Sequence, residues 1–531
     1  MGRADAERTM SLGRSRTLTL ANDTPASSTS HSGDATIENQ PAREEEVFTV
    51  FTSWEKWFLV ILTSFGAMFS PLTATIYLPA IPTLTKVFHK STELINITVT
   101  VYMIFQGLSP MLFGTLADNY GRRPIFAICL FVLACSCIGL ALVPTSAYWL
   151  LIVLRCLQSA GSASTIALGA GVIGDISTPA ERGGYFGVWN MGPNLGPALG
   201  PVIGGLLAQN LGWRSIFWFL CIASFVCFLV MVLFLPETLR AIVGNGSIIP
   251  SKIYRPVIPI VGRSIPNSST TRPPKKPFKN PFLLFREWDI VLLLLMNGFY
   301  NAFFYSVLAS LSSLFSKHYP HLSETQIGLC YLATSGGMVL GTLTNGRLLD
   351  IQYKKFLRQL ATARGVPAES LNIREKYGLA DDYPVEKARL LNLPPMTLLL
   401  GLVIAGYGWC VQYSVNLAAP LILQTVAAAL TMSSMSASQT LIVDWLPNQG
   451  SSITACNNLL RCTIAAGCVA IMDVVLNAIK PGWTYVIFGA LCFLIIPLIY
   501  LVIMAGPGRR KVRKAKAQLE EERFAAASAR K

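Results

Sequence analysis

From Trp57 to Met504 the chain repeats apolar runs of about twenty residues, the length an α-helix needs to cross a bilayer. In hydrocarbon every backbone polar group must be satisfied within its own segment. The runs therefore read as spanning helices, and the fold class as an all-α membrane protein. Composition agrees: 13% of the residues are charged, about half the share found in a soluble domain. That excludes the string of soluble domains that 531 residues would otherwise suggest. The net charge of +15 raises the possibility of a nucleic-acid binder, and the placement of the basic residues decides against it.

Twelve helices are expected, at 57–78, 93–117, 124–143, 147–171, 184–207, 214–235, 289–315, 325–347, 396–414, 417–443, 451–478 and 483–504. An even number puts both termini on one side. Of the 43 Lys and Arg residues, 36 lie in the tails or in loops on the tails' side. Five (Lys86, Lys90, Arg214, Lys317 and Lys480) lie on the other, and Arg155 and Arg461 fall within spans. The loops 240–286 and 347–389, nine basic residues each, dominate that count and make both termini cytoplasmic. The sequons at Asn22, Asn245 and Asn267 then face the cytoplasm and Asn96 lies at a helix start, so none is expected to be glycosylated. The twelve cysteines all sit in apolar segments without a CxxC, as small hydrophobes. No removable leader is visible.

The halves echo each other. Gly114-Thr-Leu-Ala-Asp118 ends the second span and Gly341-Thr-Leu-Thr-Asn345 the eighth, while Asn190 and Gly200 match Asn457 and Gly467. This order gives two six-helix halves, 54–238 and 288–506, the second with a cytoplasmic loop at 348–394, joined by a Pro-, Ser- and Lys-rich linker, 239–287. Residues 1–53 read as a disordered cytoplasmic tail, and 507–531 as a basic, solvated flank with anionic-lipid contact as a minor addition. A duplicated bundle with a site between its halves is transporter architecture.

Three stretches within this frame carry chemistry. In Gly114-Thr-Leu-Ala-Asp118-Asn-Tyr-Gly121-Arg122-Arg123-Pro124, small residues permit a tight turn and Asp118 can pair with Arg122 or Arg123, a cluster able to hold one conformation; an ordinary interfacial loop is the plainer reading. Arg155 shares a helix face with Gln158 and Ser162, and a charge there must meet a partner or a wet cavity unless it is a structural or snorkelling arginine. The fifth span reads Gly192-Pro193-Asn-Leu-Gly196-Pro197-Ala-Leu-Gly200-Pro201-Val-Ile-Gly204-Gly205. Its glycines four apart make a close-packing face, and its prolines bend the helix, either as a hinge or simply in packing.

These strings resemble motifs A, B and C of the major facilitator superfamily, although the family usually has a basic residue where this chain has Asn119. The resemblance implies a coupling role for Arg155-Cys-Leu-Gln158, and an antiporter for Gly200-Pro201-Val-Ile-Gly204-Gly205. Leu235-Pro-Glu-Thr-Leu-Arg240, Tyr383-Pro-Val-Glu-Lys-Ala-Arg389 and Asn457-Asn-Leu-Leu-Arg461 further resemble a fungal subgroup that includes multidrug:proton antiporters and citrate exporters. It covers about Trp54 to Gly506.

Arg461 lies near the midplane beside Asn457 and Asn458, where a guanidinium can bind a carboxylate or make an interhelical bond. Tyr77, Tyr102, Gln106, Asn297 and Asn301 are further candidates for the cavity lining. Asp473, twelve residues beyond Arg461, either carries a proton or sits near the outer interface. No P-loop, GxSxG or histidine cluster supports an enzyme, a cofactor or an ATP-driven pump. The reading is a monomeric plasma-membrane transporter, with a vacuolar or other internal membrane as the alternative location. It exports a drug, toxin or secondary metabolite against inward protons, with an organic acid as the alternative substrate. A non-transporting receptor or scaffold is the contrasting class.

Overall fold

The computed structural model describes residues 49–178, 181–248, 250–259, 281–365, 383–445 and 450–529. The sequons at Asn22 and Asn267, most of the amino-terminal tail and 366–382 of the long loop lie outside the described residues.

The spanning helices are α1 Ser53–Thr75, α2 Thr92–Tyr120, α3 Arg122–Leu142, α4 Tyr148–Ile176, α5 Met191–Leu211 and α6 Arg214–Phe234 in the first half. In the second half α7 is Trp288–His318, α8 Glu324–Arg364, α9 Leu393–Gln412 and α10 Ala418–Trp445. A continuous helical stretch, Gly450–Ala529, turns back on itself at Lys480 (φ 63°, ψ 162°), which divides it into α11 (450–479) and α12 (481–529). Among the described residues ten helices are long and apolar enough to cross a membrane, one of them enclosing both α11 and α12. The Gly- and Pro-rich α5 completes twelve.

Three boundaries differ from the expectation. α8 runs to Arg364, well into the expected loop, because Leu349–Arg364 keeps helix-forming residues and meets no breaker before Gly365 at φ 65°. The fifth span is two pieces, Arg182–Trp189 and α5, meeting at Asn190. The basic carboxyl-terminal flank is a helical continuation of α12, and its arginines are not simply solvated. Arg509 and Lys516 pair with Glu287, Arg513 with Asp289, and Arg510 lies 3.7 Å from Glu386.

The two ends of each helix define two faces: one with the α2–α3, α4–α5, α6–α7 and α8–α9 connections, the start of α1 and the end of α12, here the linker face, and its opposite. The halves meet mainly through α2 against α11 and α5 against α8. These contacts begin at the opposite face and fade towards the linker face. Glu93 accepts from Asn477 at 3.0 Å, Asn96 meets Asp473, and Gly107 lies against the α11 backbone at Leu459. Gly205 abuts Glu324, Gly328 abuts Pro201, and the Ser335 hydroxyl donates to Pro197 O at 3.2 Å. Beyond these, Gly114 of α2, two turns past Gly107 on the same side, meets nothing within 4 Å, and Val339 of α8, one turn past Ser335, is exposed. The arrangement is closed at the opposite face and opens towards the linker face.

Candidate functional site

The helix-five glycines face α1. A Cβ at Gly192 would collide with Ser64 and at Gly204 with Ile76. At Gly196 it would lie 2.7 Å from Pro71, and at Gly200 3.0 Å from the Ile76 nitrogen. Pro197 and Pro201 are buried within the helix, and Pro193 occupies its first turn, where a missing N–H costs little. Close packing is thus the direct role of Gly192, Gly196, Gly200 and Gly204. Gly205 does something else: it faces the other half, where an added Cβ would lie 2.6 Å from Glu324 O. The matched Gly467 meets nothing within 4 Å, so the echo in sequence does not carry the packing role across.

Arg155 is wholly buried. It stands seven residues, about 10 Å, inside the opposite-face end of α4. The faces of Tyr77 and Tyr102 flank its guanidinium at 4.5 and 4.4 Å, an arrangement that favours a desolvated cation. Nη1 donates to Gln158 Oε1 at 2.5 Å and to Thr73 O, in the last turn of α1, at 3.4 Å. Tyr102 is held in turn by Thr73 and Ser162, and Tyr77 by Thr98. Arg155 Nε and Nη2 have no partner, and no carboxylate among the described residues pairs with it.

The second set lies deeper. Arg461, half-buried on α11, likewise has no carboxylate partner among the described residues, and its Nε is unpartnered. Asn301 donates to Arg461 O at 3.1 Å, and Asn297 donates to Asn457 Oδ1 at 3.1 Å, which ties α7 to α11 around it. Asn458 is buried, and its carbonyl lies against Gly107. Gln106 donates to Ser70 at 3.3 Å, but its own oxygen is buried without a donor, as is Asn297 Oδ1. Tyr305 of α7, which the sequence reading passed over, is close enough to feel both Arg461 and Tyr102. The structure therefore gathers the named cavity residues into a central band where hydrogen-bonding capacity is left over, with Arg155 and its tyrosines at one edge.

At the linker face Arg122, not Arg123, takes the acids: Asp118 at 2.7 Å and Asp175 at 3.2 Å. Arg123 donates instead to the carbonyls of Leu235, Val232 and Ile253. The centre of this cluster is Glu237, which accepts the backbone N–H groups of Arg122, Arg123, Thr238 and Leu239. It caps the amino-terminus of α3, and Gly121, at φ 105°, leaves the space for it. Nearby, the hydrogen bond from Lys56 at 2.9 Å holds the Glu181 carboxyl below its ordinary range. The second half has its own version: Arg389 meets Asp444 at 2.9 Å, and Glu386 receives the Trp445 indole N–H at 3.0 Å. Glu237, Asp175 and Asp444 were missed because each partner is over fifty residues distant; an acid closing an apolar run opposite Arg122 was the available signal.

Asp473 is buried near the opposite face, where Asn96 of α2 reaches it across the interface between halves.

The Major Facilitator Superfamily profile matches residues 63–365. Citrate exporter 1 of Aspergillus niger is 36% identical over 504 residues, covering 92% of this chain and 94% of that protein. MFS antiporter QDR2 of Candida albicans is 35% identical over 468 residues, covering 86% and 90%. The crystal structure of the D-xylose-proton symporter superposes with a TM-score of 0.60 at 14% identity, over 83% of this chain and 96% of that one. That of the human organic anion transporter MFSD10 gives 0.54 at 18%, over 84% and 99%. At such identities the likeness is one of fold.

Proposed function

The chain belongs to the major facilitator superfamily as a multi-pass secondary transporter of small organic molecules, and from that premise we propose how it selects and moves its substrate. In our reading it exports a molecule bearing at least one carboxylate, by alternating access, as a monomer in the plasma membrane with the linker face cytoplasmic. The observation that carries this is Arg461. It is a half-buried guanidinium without a carboxylate partner among the described residues, and its Nε donor is left unsatisfied. A cation so placed in a spanning helix costs about 3 kcal/mol at the bilayer centre. A bidentate carboxylate offsets that cost, whereas a neutral drug leaves it standing. The name of the Aspergillus niger relative supports the same reading, while the name of the Candida albicans relative supports antiport, for which we take protons as the counter-ion.

Arg155 has a different part. Shielded by Tyr77 and Tyr102, it does not reach the substrate in this arrangement. It links the end of α1, α2 and α4, so displacement of Gln158 or the tyrosines is transmitted to the packed α1–α5 unit. Asp118, Arg122, Arg123 and Gly121, held by Glu237, keep the linker-face ends of the first half together as it rocks against the second.

The test is comparative metabolite profiling of the medium from cells with and without the protein, followed by uptake into inverted vesicles. Arg461→Gln is expected to lower flux of the identified anion about 100-fold, Arg461→Lys much less, and Arg155→Ala to lower the maximal flux more than about tenfold without raising KM. An exported neutral or cationic compound, or an Arg461→Gln protein with full flux, sinks the carboxylate reading.

A further inference from the structure

Four carboxylates among the described residues are fully buried: Glu237, Asp289, Glu386 and Asp473. Asp289 and Glu386 have arginines, and Glu237 collects backbone N–H groups. Asp473, 5% exposed, has neither. Among the described residues no basic nitrogen comes within the 4.0 Å of an ion pair, and its one partner is the side-chain amide of Asn96, itself 1% exposed. The surrounding titratable groups bring no positive charge. Glu93 lies on α2 and Tyr485 on α12, while Lys480 stands exposed at the end of α11, seven positions on.

Asn96 has a complementary defect: its Oδ1 is buried without a donor. An ionised carboxylate only accepts, so it satisfies the Asn96 amide N–H and leaves that oxygen bare. A neutral acid accepts through one oxygen and donates through the other, and both defects disappear together. Turning the amide over leaves the requirement intact, since its oxygen then faces the acid. When α2 and α11 part, water supplies the missing donor and hydrates the charge, and the advantage of the neutral form is gone.

The geometry points to Asp473 as a proton-binding site at the opposite face, distinct from the central cavity, that closes the latch between α2 and α11. The proton comes from water at that face, bonds to the carboxylate and returns to water when the latch opens; no other bond changes. Because the closed latch holds the proton more tightly than the open one, acid at that face favours the closed arrangement, and the preference is lost as pH rises. The inference rests on the alternating-access reading but concerns a gate, and it is tested without flux.

Hydrogen–deuterium exchange of the full-length protein in nanodiscs, corrected for the intrinsic exchange rate, reads the latch directly at 92–99 and 470–479. The wild type is expected to exchange about tenfold more slowly near pH 5 than near pH 8. Asp473→Asn, which keeps an N–H for Asn96 Oδ1 and cannot ionise, is expected to be slow at both. Asn96→Ala, which removes the partner, is expected to be fast at both. Equal wild-type rates at the two pH values, or a pH response surviving in Asp473→Asn, overturns the proposal. A wild type with the pH response but no flux condemns the transport reading alone; flux without the response condemns the latch alone.

Discussion

At the scale of single residues, two glycines in the corresponding fifth and eleventh spans meet opposite surroundings. Gly204 is pressed onto the Ile76 carbonyl of another helix, whereas Gly467 has open space. Gly204→Ala should therefore force α1 and α5 apart and lower stability by about 2 kcal/mol. Gly467→Ala should raise it by about 1 kcal/mol, by the ordinary helix preference of alanine. Thermal unfolding of the purified protein in detergent checks both signs. The sequence shows the spacing of glycines in α5 but not which neighbour they meet. Similarly, Arg155 and Arg461 stand out because charge is scarce in the spans, yet nothing local says that one is sealed between tyrosines and the other is only half-buried.

At the scale of elements, the apolar periodicity made every spanning helix legible. What it missed are the ends, where hydropathy stops informing. α8 and α12 continue past the hydrocarbon because their polar residues are also helix formers, and a polar helix reads like a loop by hydropathy. The linker-face networks were hidden for a related reason: Arg389 and Asp444 are separated by a whole helical hairpin. Their side chains are only 7% and 8% exposed. Arg389→Ala, which takes the guanidinium away from a buried carboxylate, is expected to cost about 3 kcal/mol. Arg389→Met combined with Asp444→Leu should recover most of that, because what destabilises is a buried carboxylate that has lost its opposite charge and not the absence of the pair. Thermal unfolding of the three proteins separates these outcomes, and a double variant as weak as the single one refutes the account.

At the scale of the whole molecule, the closed contacts lie at one face and the basic residues at the other. The orientation we propose puts Asn245, just after α6, in the cytoplasm beyond the reach of glycosylation. Digestion with an endoglycosidase should leave mobility unchanged in the wild type and in Asn245→Gln alike; a shift lost in Asn245→Gln inverts the topology. The duplication was visible in the Gly114 and Gly341 strings, but the latch was not. Asn96 and Asp473 lie 377 positions apart, each an ordinary polar residue near a helix end, and become informative only when the fold shuts them together.

The length of α8 has a mechanical consequence. Forty-one residues make a rod of about 60 Å, twice the hydrocarbon thickness. With its first turn at the opposite face, the far tip stands about 45 Å from the bilayer centre. A tilt of about 10° between the halves then sweeps the tip through about 8 Å, while atoms near the pivot barely move. Angular motion too small to see at the cavity is magnified into a long stroke at Arg364, a pointer on which any load in the surrounding water would bear directly.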